Sequence, residues 1–152
     1  GLEGSVSGKI GDRLTLVAGG LLLRPRVGGA ARERGDVGDL PAGAPSANLR
    51  IDASWKTDLP GALTPTATFN YLGRRAVTAR PLASLGGRQV MLPGSATLDL
   101  GLRSQFTLGR IPASLRLLAQ NVFDKADWKV ASANTLYPED RRRLTVTLAA
   151  DF

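Results

Sequence analysis

The residues equipped for chemistry in this chain are few in kind. It has no His and no Cys, which removes the common general base, the thiolate nucleophile, any disulfide and most zinc sites. What remains is charge, and its densest run is Glu139-Asp140-Arg141-Arg142-Arg143. The three guanidiniums either donate to anionic oxygens of a ligand or surface, or are simply solvated. Glu139 and Asp140, flanked by cations, read as screened loop charges and not as an acid–base pair. The glycines of "GGLLL", "VGGA" and "LGGR" lack the spacing and the following helix of a phosphate cradle. The chain is therefore read as a non-enzyme with no catalytic residue, no metal site and no cofactor.

A second candidate is "QNVFDKADW" at residues 120–128, which closes an alternating run. Asn121 and Asp124 are turn formers whose side chains bond nearby backbone amides, so they are expected to shape a strand exit more than to touch a ligand. Phe123 and Trp128, with Tyr137 beyond them, allow two readings. Either the rings straddle a lipid–water boundary, or they pack beneath the loop that follows.

Composition narrows the class. A net charge of +7 over 152 residues invites nucleic acid. The arginines, however, are scattered apart from 141–143, and two Trp, two Tyr and four Phe make no repeated stacking platform. A soluble basic β-domain that binds nucleic acid or other polyanions stays as the second reading. No apolar run reaches the length of about 18 residues that a membrane helix needs. A hydrophobic content of 43% suits a membrane β-barrel equally well, because a polar lumen dilutes an apolar exterior. Eighteen Gly and nine Pro fall between alternating segments, which is all-β punctuation. The start at Gly1, without a charged-then-apolar leader, is read as the start of a piece of something longer.

Seven segments have strand character. Residues 2–10 set Leu2, Val6 and Ile10 against Glu3, Ser5, Ser7 and Lys9, and "GDR" then turns the chain. Residues 14–24 are apolar on both faces, and 25–46 read as a long loop. Residues 48–56 alternate, with Leu49, Ile51, Ala53 and Trp55 on one face. After "TDLPGAL", residues 64–74 place Ala67, Phe69 and Tyr71 together, and 75–94 form a second long loop. Residues 96–108 align Leu98, Leu100, Leu102, Phe106 and Leu108, and "GRIP" is taken as the turn into 113–122. A third long connection, 123–140, leads to 142–152, where Leu144, Val146, Leu148, Ala150 and Phe152 share a face. Connections thus run short, long, short, long, short, long. For antiparallel neighbours that puts every short turn at one end and every long loop at the other, as in transmembrane barrels with strands of about 9–11 residues.

From residue 96 onward, "ATLDLGLRSQFTLGRIPASLRLLAQNVFDKADWKVAS" and the closing "RRRLTVTLAADF" resemble the last strands of TonB-dependent outer-membrane receptors, siderophore receptors in particular. Those show an Asp-Leu-Gly strand, a strand ending Asn-Leu-Phe-Asp-Lys-x-Tyr, a loop, and a final strand that closes on an aromatic. The matching residues here are Asp99 and Gly101, then Asn121, Phe123 and Asp124 with Trp128 near the usual aromatic, then Phe152. Val122 stands where Leu is usual, one extra residue precedes Trp128, and "YPEDRRR" replaces Gly-x-Pro-Arg. Leu148 and Phe152 resemble the terminal signal that barrels present to the assembly machinery, although Ala150 departs from it; the other reading is an ordinary hydrophobic last strand.

The resemblance implies an all-β fold: an antiparallel up-and-down transmembrane β-barrel segment of about seven strands, incomplete on its own. Residues 1–152 would be the C-terminal part of the barrel, with the plug domain and earlier strands absent. The implied function is a share in TonB-dependent uptake of a ferric siderophore or similarly scarce ligand in the outer membrane, which the piece alone would not perform. Implied partners are outer-membrane lipid and lipopolysaccharide, the barrel assembly machinery, the TonB complex through the plug, and the ferric siderophore; nucleic acid is not among them. No ligand-binding residue carries over.

Overall fold

The computed structural model describes residues 1–151. Its strands are β1 (Leu2–Ile10), β2 (Leu14–Leu22), β3 (Ala47–Trp55), β4 (Thr64–Leu72), β5 (Arg75–Ala76), β6 (Met91–Leu92), β7 (Ser95–Leu108), β8 (Ile111–Gln120), β9 (Trp128–Ser132), β10 (Thr135–Pro138) and β11 (Arg143–Ala150). Seven of them form one sheet in the order β1-β2-β3-β4-β7-β8-β11. Every neighbouring pair is antiparallel. The expected up-and-down all-β sheet is what the chain adopts.

Register carries the alternation from strand to strand. Val6, Ala18, Ile51, Phe69 and Leu98 sit opposite one another in one row, and Ala53, Ala67, Leu100, Ala119 and Leu144 in the next. The intervening row is Ser7, Val17, Asp52, Thr68 and Asp99. Because side chains alternate with period two, one face of the whole sheet is apolar and the other polar. Pairing also settles residues 14–24, which alternation alone left open. Leu14, Leu16 and Ala18 pair into the apolar face, and Thr15, Val17 and Gly19 into the polar one. On the polar face Arg50 grips Asp52 through Nε and Nη2, both at 2.8 Å, and the Thr68 hydroxyl donates to the same carboxylate at 2.7 Å.

No layer covers the apolar face. Leu2, Val6, Leu144 and Val146 are each about 70% exposed. Among the described residues the buried apolar side chains are Ala76, Val77 and Ala113. Two of these three lie in a loop, so the densest packing is outside the sheet.

The short turns, 11–13, 56–63 and 109–110, gather at one end and the long connections at the other. Strand ends differ slightly from the sequence expectation. The last hairpin turn is only Gly109-Arg110, with Leu108 paired to Ile111 and Pro112 paired to Thr107, so "IP" belongs to the strand. Gly109 has φ 66, which glycine adopts without strain. The long loops, expected to lack structure, contain a helical turn (Ala30–Glu33), a 3-10 turn (Ala83–Leu85) and the β5–β6 and β9–β10 ladders. These pieces are too short to show a period in sequence.

Gly73 opens the second long loop by donating its N–H to the Ala47 carbonyl at 2.7 Å. A Cβ there would lie 2.7 Å from the Ala47 nitrogen, whereas one at Gly4 would meet nothing within 4 Å. Gly73→Ala is expected to destabilise the protein by about 1–3 kcal/mol through backbone crowding, and Gly4→Ala to be neutral. Urea unfolding of the two variants side by side in detergent measures the contrast.

Candidate functional site

The long-loop end carries both the motif residues and the larger cavity. β8 stops where Asn121 takes φ 47, a left-handed conformation that Asn tolerates better than most residues. Its backbone N–H donates to Asp99 Oδ1 at 2.8 Å. Its side-chain amide donates to the carbonyls of Lys125 (2.9 Å) and Asp140 (3.2 Å), and its Oδ1 accepts from the Lys125 N–H at 3.0 Å. Asn121 is 5% exposed, so one amide closes the turn and also holds the returning chain.

Asp124, at φ 52, works from the other side of the turn. Its carboxylate accepts from Arg141 Nε (2.9 Å) and Nη2 (2.6 Å) and from the Arg142 backbone N–H (2.9 Å). The Arg141 hydrogen bonds first, and the Arg142 amide next, hold this carboxyl well below the usual range. The Asn-x-x-Asp spacing thereby ties both ends of the third loop. Gly101 lies opposite Thr66 and Leu118, and a Cβ there would come within 2.5 Å of Thr66 Oγ1.

The basic run is largely engaged within the chain. Arg143 donates to Gln120 Oε1 at 2.8 and 3.0 Å, and Arg141 is held by Asp124. Glu139 pairs with Lys129 at 2.9 Å, and the hydrogen bond it accepts raises the Lys129 pKa. Phe123 is 77% exposed, so it does not pack beneath the loop; Trp128 and Tyr137, on the paired strands β9 and β10, are about half exposed. Leu148 lies on the uncovered apolar face, and Phe152 falls outside the described residues.

The site that sequence reasoning missed lies between the first long loop (23–46) and the second (73–94). There a cleft of about 810 Å³ is lined by Arg24, Arg26, Arg32, Arg74, Arg75 and Arg88 against a single acidic residue, Asp39. Asp39 is already paired with Arg32 at 2.7 Å. Gln89 latches the two loops: Nε2 donates to the carbonyls of Leu40 (2.8 Å) and Thr78 (2.6 Å), and Oε1 accepts from the Leu40 N–H (3.0 Å). A Cβ on Gly38 would collide with this side chain. Arg75 is 3% exposed and donates to the Trp128 carbonyl at 2.6 Å, joining the second loop to the third. A smaller cavity of about 360 Å³, with Asn70, Asp99, Gln120 and Arg143 in its wall, opens on the polar face and shares Arg75 with the cleft. Counting runs of charge hid the cleft, because its arginines come singly or in pairs from two loops.

No family model matches the sequence, and no curated protein matches it significantly. Solved structures do match. The ferric preacinetobactin receptor BauA of Acinetobacter baumannii aligns with 99% of this chain at a TM-score of 0.81 and 22% identity, over 21% of that receptor's length. FpvA of P. aeruginosa, solved with a heterologous pyoverdine and iron, aligns with 96% of this chain at 0.65 and 19% identity, over 18% of its own length. The fold is that of a β-barrel segment, as in these two receptors. The segment spans about a fifth of each receptor, and both matched proteins are receptors and not enzymes. In such a segment the apolar face is the barrel exterior, the polar face its lumen, and the loop end described above one rim.

The Asp124 clamp has a pH signature. Its folded pKa lies below the unfolded value, so its contribution is complete at neutral pH and is lost as pH falls below the ordinary aspartate range of about 4. The third loop is expected to loosen in acid, read as a change in Trp128 fluorescence and faster amide exchange over 121–142. Asp124→Asn is expected to be looser at pH 7 and to lose the acid-dependent step; an unchanged acid transition in that variant would assign the transition to another group.

Proposed function

We propose that residues 1–152 form the C-terminal part of the barrel of a TonB-dependent outer-membrane receptor, one that takes up a ferric siderophore or a similarly scarce ligand. The observation that carries this reading is the likeness to BauA over 99% of the chain, on a sheet whose uncovered face is predominantly apolar. Lipid satisfies such a face, and water does not. The soluble polyanion-binding alternative is not favoured, since it would leave that face in water.

Strand parity supports the same reading. In an antiparallel sheet of seven strands, the edge strands β1 and β11 run in the same direction. They cannot pair with each other as antiparallel neighbours, so closure requires an odd number of further strands. Outer-membrane transporters with a plugged lumen have about 22 strands, which leaves about 15, an odd number.

On this reading the three long loops face outward and line the approach to the lumen, and the short turns face the periplasm. Asp99, Asn121 and Asp124 are structural residues of the last rim, and Gly101 is a structural residue within β7. Phe123, Trp128 and Tyr137 serve as its aromatic anchors, with lipopolysaccharide around them. Leu148 and Phe152 present the strand end to the assembly machinery. Gating and coupling to TonB belong to a plug elsewhere in the receptor, so the segment alone does not transport.

The test uses the full-length protein that carries this chain. Iron-starved cells lacking it are expected to lose accumulation of radiolabelled iron from at least one ferric siderophore and to regain it on complementation, with the protein in the outer-membrane fraction. Unaltered uptake of every chelate offered, together with recovery of the protein in the soluble fraction, would overturn the reading.

A further inference from the structure

Five of the six arginines that line the cleft have no carboxylate partner among the described residues, against five of the ten elsewhere in the chain. Arg13 pairs with Asp58, Arg34 with Asp36, Arg50 with Asp52 and Arg141 with Asp124. Among the described residues no acidic group lies within ion-pairing distance of Arg24, Arg26, Arg74, Arg75 or Arg88, all of which line the cleft. Arg75 is occupied by carbonyls, which leaves Arg24, Arg26, Arg74 and Arg88, all exposed, as guanidiniums with free donors. Arg88 spends only Nε, in a long 3.4 Å hydrogen bond to the Leu85 carbonyl. Holding like charges around one concavity is unfavourable unless an anion offsets it.

The loops that carry these residues are latched. Gln89 satisfies its whole amide across the two loops, and Gly38 donates to the Ala79 carbonyl at 2.8 Å, so the concavity is held open at a set width. Leu23, Val37 and Met91 add apolar wall between the guanidiniums. A volume of about 810 Å³ lies in the range that encloses a compact organic ligand, roughly 300–1,000 Å³. A flat, mobile basic patch that gathers lipid phosphates needs neither the enclosure nor the latch.

We propose that this cleft is a binding site for a small soluble polyanion, its charge carried on clustered carboxylate or phosphate oxygens, bound by Arg24, Arg26, Arg74 and Arg88 through paired N–H donors. The site stands on the geometry alone; naming its cargo rests on the receptor reading, under which it selects negatively charged ferric chelates over neutral or cationic ones.

The experiment titrates the full-length protein in detergent with tripolyphosphate, with ferric citrate and with a cationic ferric trihydroxamate, by calorimetry at two salt concentrations. The two anions are expected to bind and to weaken with salt. Arg24→Gln/Arg74→Gln/Arg88→Gln is expected to weaken both by at least tenfold and to leave the trihydroxamate unaffected; the matching triple Lys variant, which keeps the charge but not the paired donors, should recover only part of the loss. Equal anion affinity in the Gln variant and the parent would overturn the site. So would an equal loss for the cationic chelate, which would mark general damage. Binding of lipid A micelles that depends on these arginines, with no binding of either soluble anion, would overturn it in favour of a lipid surface. Should the anion results hold while no ferric chelate supports uptake, the cleft stands and the receptor reading fails.

Discussion

The uncovered apolar face of the sheet is the constraint on which the rest of the structure depends. Each interior strand satisfies its backbone through two antiparallel neighbours, yet the side chains of one face, from Leu2 to Leu148, have no protein layer against them. In water such a surface far exceeds the few hundred Å² of contiguous apolar area that a monomer ordinarily exposes. In a bilayer it is the required surface, provided that every backbone polar group is paired. The two edge strands are where that condition is unmet within these residues, and on the proposed barrel reading their shared direction calls for an odd count of partner strands.

With no core beneath the sheet, order at the loop end rests on directed polar contacts. Asn121 alone ties Lys125 and Asp140, Asp124 holds Arg141 and the Arg142 amide, and Gln89 fastens the first loop to the second. The buried stretch from Arg75 to Thr78 runs between the first and third loops, with Gly43 donating to the Ala76 carbonyl and Asn134 to the Val77 carbonyl. The loop end is thus the packed part of the molecule. On the proposed reading, a latched rim above a sheet that lipid and water complete from its two sides is an arrangement suited to presenting a cleft.

The seven sheet strands were legible because period-two alternation acts residue by residue. Leu49, Ile51 and Ala53 against Arg50 and Asp52 specify a face with no knowledge of their neighbours. Turn lengths then settled which end was which. The segment 14–24 was ambiguous until pairing assigned its faces. The Asn121–Asp124 exit could be read as a turn, since its bonds are local, but its partners Asp140 and Arg141 lie across the loop and left no local signal. The cleft was illegible for the same reason in stronger form. Arg24, Arg74 and Arg88 are brought together by contacts between the two loops, among them the latch of Gln89 to Leu40 across 49 positions of chain and the Gly38 bond to Ala79, which have no periodicity to announce them.

Adjacent residues in the middle of β11 test the central claim most directly. Val146 points to the apolar face and Thr145 to the polar one, and both are exposed. In the full-length protein folded into lipid bilayers, Val146→Arg is expected to cost about 2–4 kcal/mol of unfolding free energy, as for a charge placed against the hydrocarbon mid-plane. Thr145→Arg, facing a wet lumen, is expected to change it by less than about 1 kcal/mol. Equal and small effects at the two positions would mean that water bathes both faces, and would contradict the account.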